Sequence, residues 1–286
     1  MYSQDSQLFE SRTDMTSRFV GVAGLPRSGS TLLCQMLAEH PEIHCDGHSS
    51  PLCNTLLGMR RFISDDQFML SQLDVQFEST YSNLQHAMRG FLRGWYAQYN
   101  TPFVVDKNRA WLHCIEFLLQ LEPEAKLLIP IRELGQIYGS IESQHQKTIL
   151  LDFIDHLADF DRFGRADQMF AKEKSIGAPL SSILAVQDLP QSVKDRLYFV
   201  KFEDLMNQPV ETMDKVFQFI GVEKHTIDPD QLTVRPHESD SHYRYKFLHR
   251  QHTQLIAPKL HQIPLRIQQR IRSVNAWYYE WFYPNH

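Results

Sequence analysis

The sequence predicts an α/β protein of three layers, a central parallel sheet flanked by helices on both faces. Two observations carry that expectation. Short apolar runs of strand length alternate with longer segments of helical period. In one of those segments Met213, Val216, Phe217 and Ile220 fall at i, i+3, i+4 and i+7, the stripe of a helix laid on a core. A third observation, a glycine-containing turn between the first strand and the first helix, says where to look for function. Ligands of such sheets bind beyond the carboxyl ends of the strands.

In chain order, residues 1–17 read as a loose arm and 18–286 as one domain, because no internal repeat or Gly/Ser/Pro-rich linker interrupts them. The first strand runs from Arg18 to Gly24. A helix follows from about Ser30 to Glu39, ended by His40-Pro41, since a residue before proline is pushed out of the α region. Helical stretches are expected over about 52–63 and 83–99. A second strand, Phe103–Asp106, leads to a helix over about 110–121 and then to a third strand, Lys126–Ile131. Helices dominate to about residue 190. Leu197–Lys201 is the fourth strand, and Trp277–Tyr283 reads as a helix docking its aromatics on the core.

Composition narrows the function classes. With 42% hydrophobic and 22% charged residues the chain has enough apolar material for a core. A net charge of −5 opposes any nucleic-acid partner, although a local pocket on an acidic protein can still be basic. Cys34, Cys45, Cys53 and Cys114 form no CxxC pair and no dense framework, which points to a reducing compartment and a cytoplasmic protein. No apolar run is long enough to span a bilayer, and the polar start carries no signal core.

The turn after the first strand reads Gly24-Leu-Pro-Arg-Ser-Gly-Ser-Thr31. Its frame is that of a phosphate-binding P-loop: glycine, four residues, glycine, one residue, then a hydroxyl residue. Glycines let backbone N–H groups turn inward, and the helix N-terminus adds partial positive charge. The lysine of a nucleoside triphosphatase is replaced by Ser30, and the cation lies inside the loop at Arg27. A second anion motif follows the third strand, where Arg132 is succeeded eight positions later by Ser140 on the ensuing helix. Arginine suits the role because its planar fork binds phosphate oxygens in bidentate fashion. Taken alone, Arg132 pairing with Glu133 or Glu142 is an equal reading.

Together these motifs resemble the PAPS-dependent sulfotransferases (PAPS is 3′-phosphoadenosine 5′-phosphosulfate). The arginine form of the loop and the following Ala-Glu-His-Pro-Glu are most similar to the bacterial tyrosylprotein-sulfotransferase-like branch. The resemblance runs from Phe19 to about Ser143 and implies a P-loop-type fold. It implies that PAPS is the co-substrate, PAP the product, and no metal is required. Arg27 would touch the bridging oxygen and phosphosulfate, Ser28, Gly29, Ser30 and Thr31 would hold the 5′-phosphate, and Arg132 with Ser140 the 3′-phosphate. Val200-Lys-Phe-Glu-Asp-Leu205 departs from the pattern, with lysine and phenylalanine where tyrosines are common.

The reaction so implied moves a sulfuryl group to a hydroxyl acceptor by in-line displacement, which asks for positioned groups, charge stabilisation and a base. The branch places a catalytic glutamate in the loop after the first helix, and spacing from Arg27 brings His48 there. Histidine, with an unperturbed pKa near ~6.5, suits the task, with Asp46 the fallback and a turn-capping His48 the bland reading. Lys107, after the second strand, resembles the family's catalytic lysine. Asp106 beside it would orient that lysine or cap the next helix. His44, Cys45 and His48 lie close in sequence, but Pro41 and Gly47 prevent one regular helix from presenting them together, so no metal site is expected. In the basic stretch 235–250, Arg244 or Lys246 is suggested to close over the nucleotide, or the stretch forms an acceptor-binding or homodimer surface. A peptide tyrosine, a sugar and a small molecule all remain open as acceptor. A P-loop kinase or hydrolase and a non-catalytic nucleotide-binding protein are the competing readings.

Overall fold

A computed structural model of the chain describes residues 17–152, 155–234, 238–239, 248–249 and 251–284. The first half comprises β1 (Arg18–Val22), α1 (Ser30–Leu37), β2 (Ile43–His44), α2 (Leu52–Asp65), α3 (Gln67–Tyr96) and β3 (Phe103–Lys107). Then come α4 (Ala110–His113), α5 (Ile115–Leu121), β4 (Lys126–Ile131), α6 (Leu134–Lys147), α7 (Arg162–Phe170), α8 (Gly177–Ala185) and α9 (Gln191–Lys194). The remainder contributes β5 (Leu197–Lys201), α10 (Phe202–Asn207), α11 (Pro209–Ile220), the two-residue pair β6 (Glu238–Ser239) and β7 (Leu248–His249), α12 (Leu265–Val274) and α13 (Ala276–Phe282).

Five strands form one parallel sheet in the order β2-β3-β1-β4-β5. Because side chains alternate along a strand, each strand feeds two cores. Phe19, Val104, Leu127, Ile129 and Ile131 join the core under α2, α4, α6 and α13. Val20, Val22, Val105, Leu128 and Val200 join the core under α1 and α11. The expected three layers follow from that sorting. The stripe of α11 is buried as its spacing requires.

The structure alters several expected boundaries. The segment Ile43–His44 pairs with β3 as an edge strand, too short to carry a pattern of its own. The helix expected over 83–99 begins at Gln67, capped by the Asp66 carboxylate, which accepts from the Met69 N–H at 2.8 Å. Gln76 breaks its helical geometry (φ −139°, ψ 57°), and only Thr80, Met88, Leu92 and Tyr96 are buried along it. Its first half therefore shows little apolar period, and the sequence hid it. The helix expected over 110–121 is divided at Cys114, whose φ of −117° is not helical.

Candidate active site

The loop from Ala23 to Gly29 crosses the carboxyl end of the sheet, where the local backbone explains its residues. Gly29 is the N-cap of α1, with φ 88°, and no side chain caps that helix. The N–H groups of the first turn thus face the loop mouth, the arrangement that holds an anion. A Cβ on Gly29 would lie 2.4 Å from Phe202 Cδ2, and one on Gly24 2.4 Å from the Pro130 carbonyl oxygen. Glycine is needed at both positions for close approach, and at Gly29 also for its left-handed φ. Arg27 itself takes a left-handed conformation, φ 57°. Ser28 is buried, and its hydroxyl donates to the Leu25 carbonyl at 2.6 Å, which ties the loop to itself.

The two anion motifs, more than one hundred residues apart in sequence, meet here. Arg27 Nε donates to Ser140 Oγ at 2.9 Å, and an Arg132 guanidinium N–H donates to the Arg27 carbonyl at 3.1 Å. Arg132 is 7% exposed and lies 4.4 Å from the centre of the Phe202 ring. Burial draws its pKa below the usual arginine value, with the Glu203 carboxylate pulling the other way. Pairing with Glu133 or Glu142 is not what holds it. Glu133 accepts from Gln268 Nε2, Tyr279 Oη and the Gln136 N–H, and Glu142 accepts from Arg165 at 2.6 and 2.9 Å. Phe202, the departure from the sequence pattern, is thus the platform beneath both the loop and Arg132.

A cavity of about 370 Å³ opens beside this cluster, lined in part by Gly139 and Ser143, which flank Ser140 on α6, and by Arg162, Lys259 and His261. Gln136 holds the backbone of His261 through two bonds, 2.8 and 3.1 Å. Burial, then the charges of Arg132 and Arg27, lowers the His261 pKa. The sequence drew no attention to Lys259 and His261, whose nearest signal was the cluster of cations just upstream. Arg244 and Lys246 lie outside the described residues.

The second cluster sits at the end of β3. Lys107, 7% exposed, donates from Nζ to Thr31 Oγ1 at 3.4 Å, so it faces the first turn of α1. The loop carrying His48 runs alongside it: Ser49 bridges to Lys107, the Ser50 N–H donates to the Lys107 carbonyl at 2.9 Å, and Asn108 Nδ2 donates to the Ser50 carbonyl at 2.7 Å. His48 is half-buried, and its backbone N–H donates to Asp46 Oδ1 at 3.0 Å.

Asp106 neither orients Lys107 nor caps the next helix, since alternation turns it to the opposite sheet face. It is fully buried there and accepts from Tyr96 Oη at 2.7 Å and Trp111 Nε1 at 2.6 Å. Burial raises its carboxyl pKa, against hydrogen bonds from Ser50, Tyr96 and Trp111. Asn108 caps the helix instead, accepting from the Ala110 N–H at 2.9 Å. His44 stacks on Tyr99 at 3.4 Å, and the Cys45 thiol meets Cys34 on α1. Among the described residues no group of three or more His, Cys, Asp or Glu side chains is placed to hold a metal ion. None of the described helices is long and apolar enough to cross a membrane.

An uncapped helix start, a glycine loop with an internal arginine, and a second arginine on the neighbouring strand end mark an α/β protein of the P-loop class. The sulfotransferase family profile matches residues 20–226, and the chain belongs to that family. It is 26% identical over 220 residues to protein-tyrosine sulfotransferase 2 of Gallus gallus, covering 76% of this chain and 55% of that protein. It is 25% identical over 211 residues to protein-tyrosine sulfotransferase 1 of Danio rerio, covering 73% and 54%. The chain spans about half the length of these curated relatives. The fold is shared with a sulfotransferase from Alicyclobacillus acidocaldarius, at a TM-score of 0.51 and 14% identity over 91% of each chain.

Proposed function

We propose that this chain is a PAPS-dependent sulfotransferase that transfers a sulfuryl group to a hydroxyl acceptor and releases PAP. The observation that carries the reading is the junction of Arg27, Ser140 and Arg132 at the mouth of an uncapped helix. It supports a reading of two anion sites side by side, as a nucleotide with phosphate at both ends of its ribose demands. In this reading Arg27 and the N–H groups over Ser28, Gly29, Ser30 and Thr31 receive the 5′-phosphosulfate, and Arg132 with Ser140 the 3′-phosphate.

The chemistry is assigned to the other cluster. The acceptor oxygen forms a bond to sulfur while the bond from sulfur to the bridging phosphate oxygen breaks. Lys107, beside Thr31, stabilises the charge that develops on that bridging oxygen. His48 takes the acceptor's proton. A peptide tyrosine is the acceptor we favour, supported by the names of the relatives. The cysteine usage supports a cytoplasmic setting as the accompanying proposal.

Calorimetry with PAP, beside ATP with magnesium, tests the donor. The expected result is tight PAP binding without metal. Magnesium-dependent ATP binding with no response to PAP would overturn the assignment.

A further inference from the structure

The C-terminal helix α13 reaches the nucleotide end of the sheet through the hydroxyls of its tyrosines. Tyr278, fully buried, donates from Oη to the Arg132 carbonyl at 2.9 Å. Tyr279 Oη donates to Glu133 Oε1 at 2.7 Å, and Tyr283, just past the helix, donates to Glu203 Oε2 at 2.9 Å. Glu203 closes the circuit by accepting the Glu133 N–H on Oε1 at 3.1 Å. The turn between β4 and α6, which carries Arg132, is thereby fixed from its carbonyl, its following side chain and its following N–H.

This arrangement is more specific than a hydrophobic docking. Each of the three tyrosine hydroxyls, two on α13 and one just past it, meets an acceptor on the Arg132 turn or on Glu203, one residue after Phe202. Burial is the leading cause that raises the pKa of all three phenols, with the nearby carboxylates adding to it, so they remain donors throughout the neutral range. From the backbone setting so fixed, Arg132 reaches both the Arg27 carbonyl and the Phe202 ring. A displaced turn would move the guanidinium away from the Arg27 carbonyl and the Phe202 ring.

We propose that Tyr278 and Tyr283, with Tyr279 between them, are positioning residues for the 3′-phosphate arginine, so that the C-terminal helix forms part of the nucleotide site. The proposal rests on the PAPS reading given above. PAP and AMP differ only in the 3′-phosphate, and the ratio of their affinities isolates the Arg132 contact from the rest of the site. The experiment is calorimetric titration of wild type and Tyr278→Phe with both nucleotides, accompanied by a melting curve.

The expected result is PAP affinity weakened roughly 3- to 10-fold, the range of one lost hydrogen bond, with AMP affinity unchanged. Equal loss for both nucleotides, or loss for neither, would overturn the positioning role and leave the hydroxyls as packing features. If Tyr278→Phe does not fold, Tyr283→Phe is read by the same ratio, and an unchanged ratio there overturns the proposal equally. Failure of wild type itself to bind PAP more tightly than AMP would instead count against the 3′-phosphate site, and is separable from both outcomes.

Discussion

The two ends of the candidate site are built differently. Around Arg132 the groups are held in place: a guanidinium between a carbonyl and an aromatic face, and tyrosines bracing the turn. Around His48 the backbone is anchored by Ser49 and Ser50 to the end of β3, while the imidazole sits half-exposed on its loop. Binding a fixed polyanion rewards groups already in place, because they need no reordering when the ligand arrives. A base must instead meet an acceptor that arrives from solvent. The rigid end is suited to recognition and the open end to exchange.

The largest effect should come from the open end. His48→Ala is expected to lower kcat by about 10²–10⁴, the contribution of a positioned base, with PAP affinity near wild type in the same preparation. If turnover survives, the proton goes elsewhere, with exposed Asp46, bonded to the His48 N–H, the next group to replace. Such a result would remove the division of labour between the two ends.

Next in size, Arg132→Ala should weaken PAP binding by about 10- to 100-fold through loss of a charge-assisted phosphate contact. Calorimetry reads it, and unchanged affinity would take the second anion motif out of the site.

The smallest effect concerns stability. Burial alone would raise the Glu142 pKa, but the hydrogen bonds and charge of Arg165 outweigh it, and the net shift is downward from 4.5. A carboxylate lowered in the folded state contributes stability above its unfolded value and loses it as pH falls through the folded one. Glu142→Gln should therefore cost about 1.5 kcal/mol at pH 7, and the gap in Tm to wild type should narrow below pH 4.5. Asp106 at the other end is shifted upward, so its contribution has the opposite sign and weakens as pH rises from its unfolded value of 3.8 through its higher folded value. A gap that does not change with pH would show that Glu142 carries no such linkage.

Local pattern by itself determined the four longer strands of the sheet, β1, β3, β4 and β5, the P-loop frame and the helix that follows it. Buried parallel strands need continuous apolar runs, and an anion loop needs glycines at fixed offsets, so both are written in neighbouring residues. The same holds for the stripe of α11 and for Arg132 eight residues before Ser140. What the tertiary structure alone decided was partnership between distant residues. Only folding brings Arg27 against Ser140, slides Phe202 beneath Gly29, turns Asp106 away from Lys107 toward Tyr96 and Trp111, and sets Tyr278 on the Arg132 carbonyl. The physical reason is that periodicity reports which face of an element is buried, while the atom met on that face is set by where the sheet places the neighbouring element.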